Sequence, residues 1–296
     1  MTIPTLFKLL PIMLLVAACG GGQPQGDQLL TDGADSTAAA QDAMKQKTKK
    51  IFYSIPSPME TAELLREAGA EYDKDILNDP NNRTNYTSPS KQAINLGVYG
   101  ADLSYASVFN QTQESMLFTA AAQSLAKQLG INSVFSDSTM QAMEEAKSDR
   151  EALLDIVTDT YWNMDGYLKE EGRSHLSALM IAAGWTEGLY IATQVATTKP
   201  NDKLRQRIAE QKLSLKDIIS LLGEYPQEST LTTVLADMQA LSAIYEGINV
   251  GGTATTTSTD AAGVTTIGGG SAATITDEQL KTLSAKAATI RNSYIN

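Results

Sequence analysis

The sequence predicts an all-α protein, a multi-helix bundle of about eight to nine helices, and three observations lead there. Helix-entry signals recur along the chain: Ser57-Pro58 and Ser88-Pro89, and a capping residue three before Glu or Gln at Asn110, Ser148 and Thr276. Apolar residues return at helical spacing, most clearly Leu153, Leu154, Val157, Tyr161, Met164, Tyr167 and Leu168. No succession of alternating apolar and polar residues marks a set of strands.

The chain begins with a segment that is not part of this bundle. Residues 1–18 carry Lys8 as their only charged side chain, then the apolar run "LLPIMLLVAA", the plan of a secretory signal peptide. "VAAC" (Val16 to Cys19) resembles the bacterial lipoprotein box, in which cleavage leaves Cys19 as an acylated N-terminus. Several acyl chains anchor durably, since each buried methylene contributes roughly 0.8 kcal/mol. Cys19 is the only cysteine, so its acylation would leave no thiol for disulfides, metal ligation or catalysis. Residues 19–50, rich in Gly, Gln, Asp, Ser, Thr and Ala, cannot offset the entropy of ordering and read as a flexible tether.

Residues 51–296 read as a single helical domain. The entry signals and apolar spacing place helices near 57–69, 89–108, 111–129, 138–147, 149–171, 175–197, 201–222, 229–248 and 277–294. Residues 250–275, with clustered glycines and threonines, read as a low-complexity loop. A small hairpin around "DAAG" is the alternative to a mobile surface segment. A weak internal echo links "GADLSYAS" and "WTEGLYIA", each with an acid three residues before a tyrosine, and suggests a duplicated helical hairpin.

The stretches "YSIPSPMETAELLREAGAEYDKDILN" and "AINLGVYGADLSYASVFNQTQESM" resemble a group of helical lipoproteins of Bacteroidota without an assigned activity. The resemblance is best over residues 52–131. It implies an exported, lipid-anchored helical domain at the outer membrane and transfers no catalytic residue. Surface export in that phylum is associated with acids close behind the lipidated cysteine. Here the first is Asp27, which favours the periplasmic face over the cell surface.

The composition narrows the chemistry. The formal net charge is −11, and loss of residues 1–18 removes Lys8 and no acid, so nucleic acid is not an expected partner. Membrane contact then falls to acyl chains on Cys19. His175 is the sole histidine and sits at a helix start, where it reads as a surface residue. No phosphate loop, dinucleotide fingerprint, metal-ligand spacing or nucleophile elbow is present, so no cofactor, metal or catalytic residue is assigned. Tyr99, Tyr105, Trp162, Tyr167, Trp185 and Tyr190 read as core aromatics.

Charge placement supplies the candidate site. Asp102 is the only charged residue between Lys91 and Glu114, Glu187 between Arg173 and Lys199, and Asp237 between Glu228 and Glu246. Helices apolar nearly all round are central ones, so these acids belong at or near the core. Asp102, Tyr105, Glu187, Tyr190 and Asp237 are therefore the candidate ligand pocket, with local hydrogen bonding of Asp102 by Tyr99 and Tyr105, and of Glu187 by Tyr190, as the structural alternative. Ala93, Gly97, Gly100, Ala101 and Ser104 form a small-residue stripe open to close approach by a partner backbone. Two functions remain: a non-enzymatic binding or scaffold module for a protein partner or small ligand in the periplasm, and a carboxylate-dependent hydrolase with paired acids in a bundle cleft. Buried, hydrogen-bonded acids indicate the first; two acids across an open cleft indicate the second.

Overall fold

The computed structural model describes residues 64–67, 69–131, 133–251, 256–259, 265–268 and 273–296. The chain divides into two compact units, Met1–Lys45 and Gln46–Asn296, and every described residue belongs to the second. The expected signal peptide, Cys19, the tether and the Ser57-Pro58 entry lie outside the described residues.

The protein is an all-α, multi-helix bundle. Its first long helix, α1 (Pro89–Val108), starts where Ser88 accepts a hydrogen bond from the Lys91 amide with Pro89 at the first turn, and every residue from Gln92 to Val108 is buried. α2 (Thr112–Gln128) follows, then α3 (Asp137–Glu145) and α4 (Arg150–Glu170). α5 (Ser174–Thr198) is the second central helix, and it packs on α1. α6 (Asp202–Leu222), α7 (Ser229–Glu246) and α8 (Asp277–Ile295) complete the bundle, the last opened by a full Thr276–Gln279 capping box.

Two of the expected caps are displaced. Asn110 has φ +56°, a left-handed turn residue, and Gln111 opens α2 without a side-chain cap. Asp149, one residue after Ser148, caps α4 by accepting from the Ala152 amide. Asp149 can do this as Ser148 would, and the tighter turn Asp149 N to Ala146 O brings it into place.

The small-residue stripe on α1 is met by a backbone. A Cβ on Gly97 would stand 2.1 Å from the Met180 carbonyl oxygen of α5, and one on Gly184 would stand 3.1 Å from the Gly97 carbonyl. Gly100 is covered instead by the Tyr161 ring of α4, 2.4 Å from where a Cβ would be. Elsewhere polar ties join the helices: Trp185 donates to Gln211 and Ser214 of α6, and Tyr245 of α7 to the Ile208 carbonyl.

Between residue 70 and α1 runs a segment to which the sequence reading gave no element. It holds two 3-10 helices, Lys74–Ile76 and Pro80–Asn85, nucleated by Asp73 and Asp79, whose side chains accept from amides two residues on.

The reading of residues 250–275 as a mobile loop is corrected in part. β1 (Thr256–Thr259) pairs antiparallel with β2 (Thr265–Gly268), in the register Thr256↔Gly268 to Thr259↔Thr265, so the hairpin alternative is the one formed. Ala273 and Ile275 are buried, and Thr274 bridges to Asn249. An isolated two-stranded hairpin is marginal in water, so replacing residues 252–272 by a short Gly-Ser linker should shift the melting temperature by no more than about 2 °C. A loss of several degrees in a calorimetric scan would show that the hairpin packs on the body.

Candidate functional site

Two of the three lone acids meet. α1 brings Asp102 and α5 brings Glu187 to one point in the core, past the Gly97–Gly184 contact, and both residues are 0% exposed. The two echoed segments, Gly100–Ser107 and Trp185–Ala192, thus lie on the two central helices, and their acids face each other.

The group that joins them comes from α8. Arg291 donates through Nε to both Glu187 carboxylate oxygens at 3.2 and 3.0 Å, and through Nη2 to Glu187 Oε1 at 3.1 Å and to the Ile76 carbonyl at 3.1 Å. Its guanidinium carbon stands 4.8 Å from the centre of the Tyr190 ring, a cation–π contact in a desolvated place. Asp102 Oδ2 accepts from the Asn78 amide at 3.2 Å, while Asp102 Oδ1, also sealed, has no hydrogen-bond partner among the described residues. Burial, and then the Glu187 charge, push the Asp102 carboxyl well above the usual carboxylate range. Burial also raises Glu187, opposed by Arg291.

A polar shell surrounds this centre. Asn78 Nδ2 donates to Tyr86 and to Asn95, Asn95 Nδ2 donates to the Tyr294 carbonyl of α8, and the Tyr86 hydroxyl donates to the Ile295 carbonyl. The last carbonyls of α8, which have no partner within their helix, are thereby satisfied from α1 and from the residues before it.

The expected tyrosine partners of the acids do something else. The Tyr99 hydroxyl donates to the Asp79 carbonyl at 2.9 Å, and the Tyr105 hydroxyl contacts the Glu71 carbonyl and the Asp73 amide. Neither bonds Asp102. A tyrosine side chain on a helix reaches well past a residue three positions away, and here the unpaired groups of residues 71–79 lie within that reach. Tyr190 serves Arg291 through its ring face. Asp237 stands apart, half-buried, with Lys286 and the Tyr294 hydroxyl as its neighbours; burial raises its carboxyl.

Arg291, Asn78 and Asn95 are the members that the charge-gap argument missed. Arg291 was legible in one respect, since Leu283, Ala287 and Arg291 share one helix face and the first two are buried. Nothing in the sequence around Asn78 marks it, because its role depends on its amide and on an irregular backbone.

The other candidates are accounted for. Ser177, two residues after His175, is bonded to Asp165, which also holds Lys169 at 2.7 Å. Tyr99, Tyr105 and Trp185 are buried, and Trp162, Tyr167 and Tyr190 are partly so. Surface grooves away from the acids, among the described residues, include one of about 470 Å³ along α2, lined by Ala120, Lys127, Ile131 and Phe135 among others, and one of about 360 Å³ beside Asn201–Lys203. Among the described residues no group of three or more His, Cys, Asp or Glu is placed to hold a metal, and no helix is long and apolar enough to cross a membrane. Comparison with protein-family models, curated proteins and solved structures finds no match to this chain.

Proposed function

We propose that this chain is an exported, lipid-anchored helical module that binds a protein partner or small ligand in the periplasm and performs no catalysis; the export and the anchor are what its resemblance to the Bacteroidota lipoproteins implies. The observation that carries the non-enzymatic part is the clasp of Arg291 on Glu187 beside Asp102. A hydrolytic carboxyl pair must address a substrate and a water molecule from an open cleft, with its two carboxyls about 5 to 9 Å apart. These two acids have no exposure, and one is bonded on both oxygens to an arginine of the same chain. Such a centre fixes how α1, α5 and α8 pack, and leaves recognition to the outer surface.

The anchor rests on Cys19 following "VAA" and an apolar run. Replacing Cys19 by Ser should abolish incorporation of radioactive palmitate and move the protein from the membrane to the soluble periplasmic fraction. Labelling that survives the substitution would remove the lipoprotein reading while leaving the argument about the acids untouched.

A further inference from the structure

Residues Glu71–Tyr86 cross the acid cluster and are fastened to it by polar groups. Only Leu77, Asn78 and Tyr86 of this strap are buried. Its ties to the core are the Tyr105 hydroxyl on Glu71 and Asp73, Arg291 on the Ile76 carbonyl, Asp102 on the Asn78 amide and the Tyr99 hydroxyl on the Asp79 carbonyl, with Asn78 Nδ2 on Asn95, Gln92 on the Tyr86 carbonyl and the Tyr86 hydroxyl on the Ile295 carbonyl. Those from Arg291 and Asp102 depend on members of the acid cluster, and they hold the middle of the strap.

The cluster itself is short of a hydrogen. Both Glu187 oxygens are engaged by Arg291, and one guanidinium faces two carboxyls in a sealed core. With Asp102 ionised, its buried Oδ1 would be an orphan acceptor in a core that already holds the Glu187 charge, a costly arrangement. A proton on Asp102 removes the second charge and supplies a donor for a side-chain hydrogen bond to Glu187. We propose that Asp102 and Glu187 hold one proton between them in the closed fold, and that its loss to water at alkaline pH unfastens the Glu71–Tyr86 strap from the core.

The surrounding groups leave this titration to the acid pair. From α8, Arg291 is raised further and keeps its charge. The phenols that sense Asp102 are Tyr99 on α1, Tyr161 on α4, Tyr190 on α5, and Tyr72 and Tyr86 on the strap. Burial holds all of them above their ordinary range, so they stay neutral while a carboxyl titrates. Asp73 and Asp79 on the strap and Glu114 on α2 act on Tyr72 or Tyr99 and add only negative charge. Asp102 has its pKa raised by folding, so its contribution is fully present below the unfolded value and is lost as pH rises through the folded one. The Asn78 amide and Arg291 favour the ionised carboxyl, but burial is the larger influence, so the cover over the cluster, the strap, loosens on the alkaline side.

Asp102→Asn separates this from a merely structural acid. The amide oxygen still accepts from the Asn78 amide, and the amide NH2 replaces the shared proton as donor to Glu187, with nothing left to titrate. The full chain in detergent is followed by amide hydrogen exchange, corrected for chemical exchange, from about pH 5 to about pH 9, the span documented for buried carboxyls. Protection of residues 72–86 should fall by about tenfold or more across that span while α7 stays protected, and Asp102→Asn should hold the strap closed throughout. Infrared spectroscopy of the parent should show the carbonyl stretch of a protonated carboxyl at neutral pH, disappearing as the strap exchanges. This second measurement needs no variant. The same strap profile in parent and Asp102→Asn, a flat profile in the parent, or no protonated carboxyl at neutral pH each overturns the proposal.

Discussion

Gly97→Ala should lower the melting temperature by roughly 4–8 °C, one of the largest effects of any single methyl group in this protein. The added Cβ would lie 2.1 Å from the Met180 carbonyl oxygen, and that oxygen belongs to the backbone of a 25-residue helix, so no side chain can turn aside. α1 and α5 must separate along their contact. Overpacking costs up to roughly 3 kcal/mol and more when backbone must move, against about 1 kcal/mol gained from the better helix propensity of alanine. The clash wins, and each kcal/mol is worth roughly 2–4 °C in a domain of this size. Two controls set the scale. Gly184→Ala, with its contact at 3.1 Å, should lose less, and Gly188→Ala, with nothing within 4 Å, should be neutral or slightly stabilising. Circular-dichroism melting of the three variants tests this; equal melting of Gly97→Ala and the parent would mean that the two backbones do not touch there.

Arg291→Met should be comparably damaging for an electrostatic reason. The change leaves Glu187 in the core without its cation and the Ile76 carbonyl without its donor, a loss of roughly 3–5 kcal/mol at neutral pH. The loss should itself depend on pH. Without Arg291, the influence that lowers Glu187 is gone and its carboxyl rises further, so the folded variant takes up a proton that the unfolded chain does not. The variant's deficit should therefore shrink as pH falls toward the unfolded glutamate value of about 4.3. Denaturant titrations at neutral and mildly acid pH measure it. Equal deficits at both would assign the effect to lost packing of the long side chain, and a variant as stable as the parent would revive the site reading of Glu187.

Much of the architecture could be read from the chain because the signals are local. Ser88-Pro89 and Thr276 to Gln279 open helices where such pairs do, and the charge gaps around Asp102 and Glu187 mark the two central helices. The same gap misplaced Asp237, because α7 shows solvent one face and a single acid can lie at its edge. The partners of the acids were not legible. Asn78 reaches Asp102 through its backbone, Arg291 lies 104 residues after Glu187, and Tyr99 and Tyr105 turn from the acid between them to carbonyls about twenty to thirty-four residues upstream. Helical spacing reports which face is buried and says nothing of what meets it. The strap escaped for a related reason, as short 3-10 turns begun by Asp73 and Asp79 have no apolar period to detect.

The placement of Arg291 also sets an order of events during synthesis. Asp102 and Glu187 are made well before it, and the ties from Arg291 and α8 back to Ile76, Tyr86 and Asn95 span 215, 209 and 199 residues. Until α8 emerges, a partly made chain that brought α1 and α5 together would hold two acids in a dry core with no cation, so the central contact has no completed state to settle into. Closure of such long loops precedes the contacts that reward it, which slows folding. Sealing of the interior thus waits on the last helix, which delivers the charge that the two acids need.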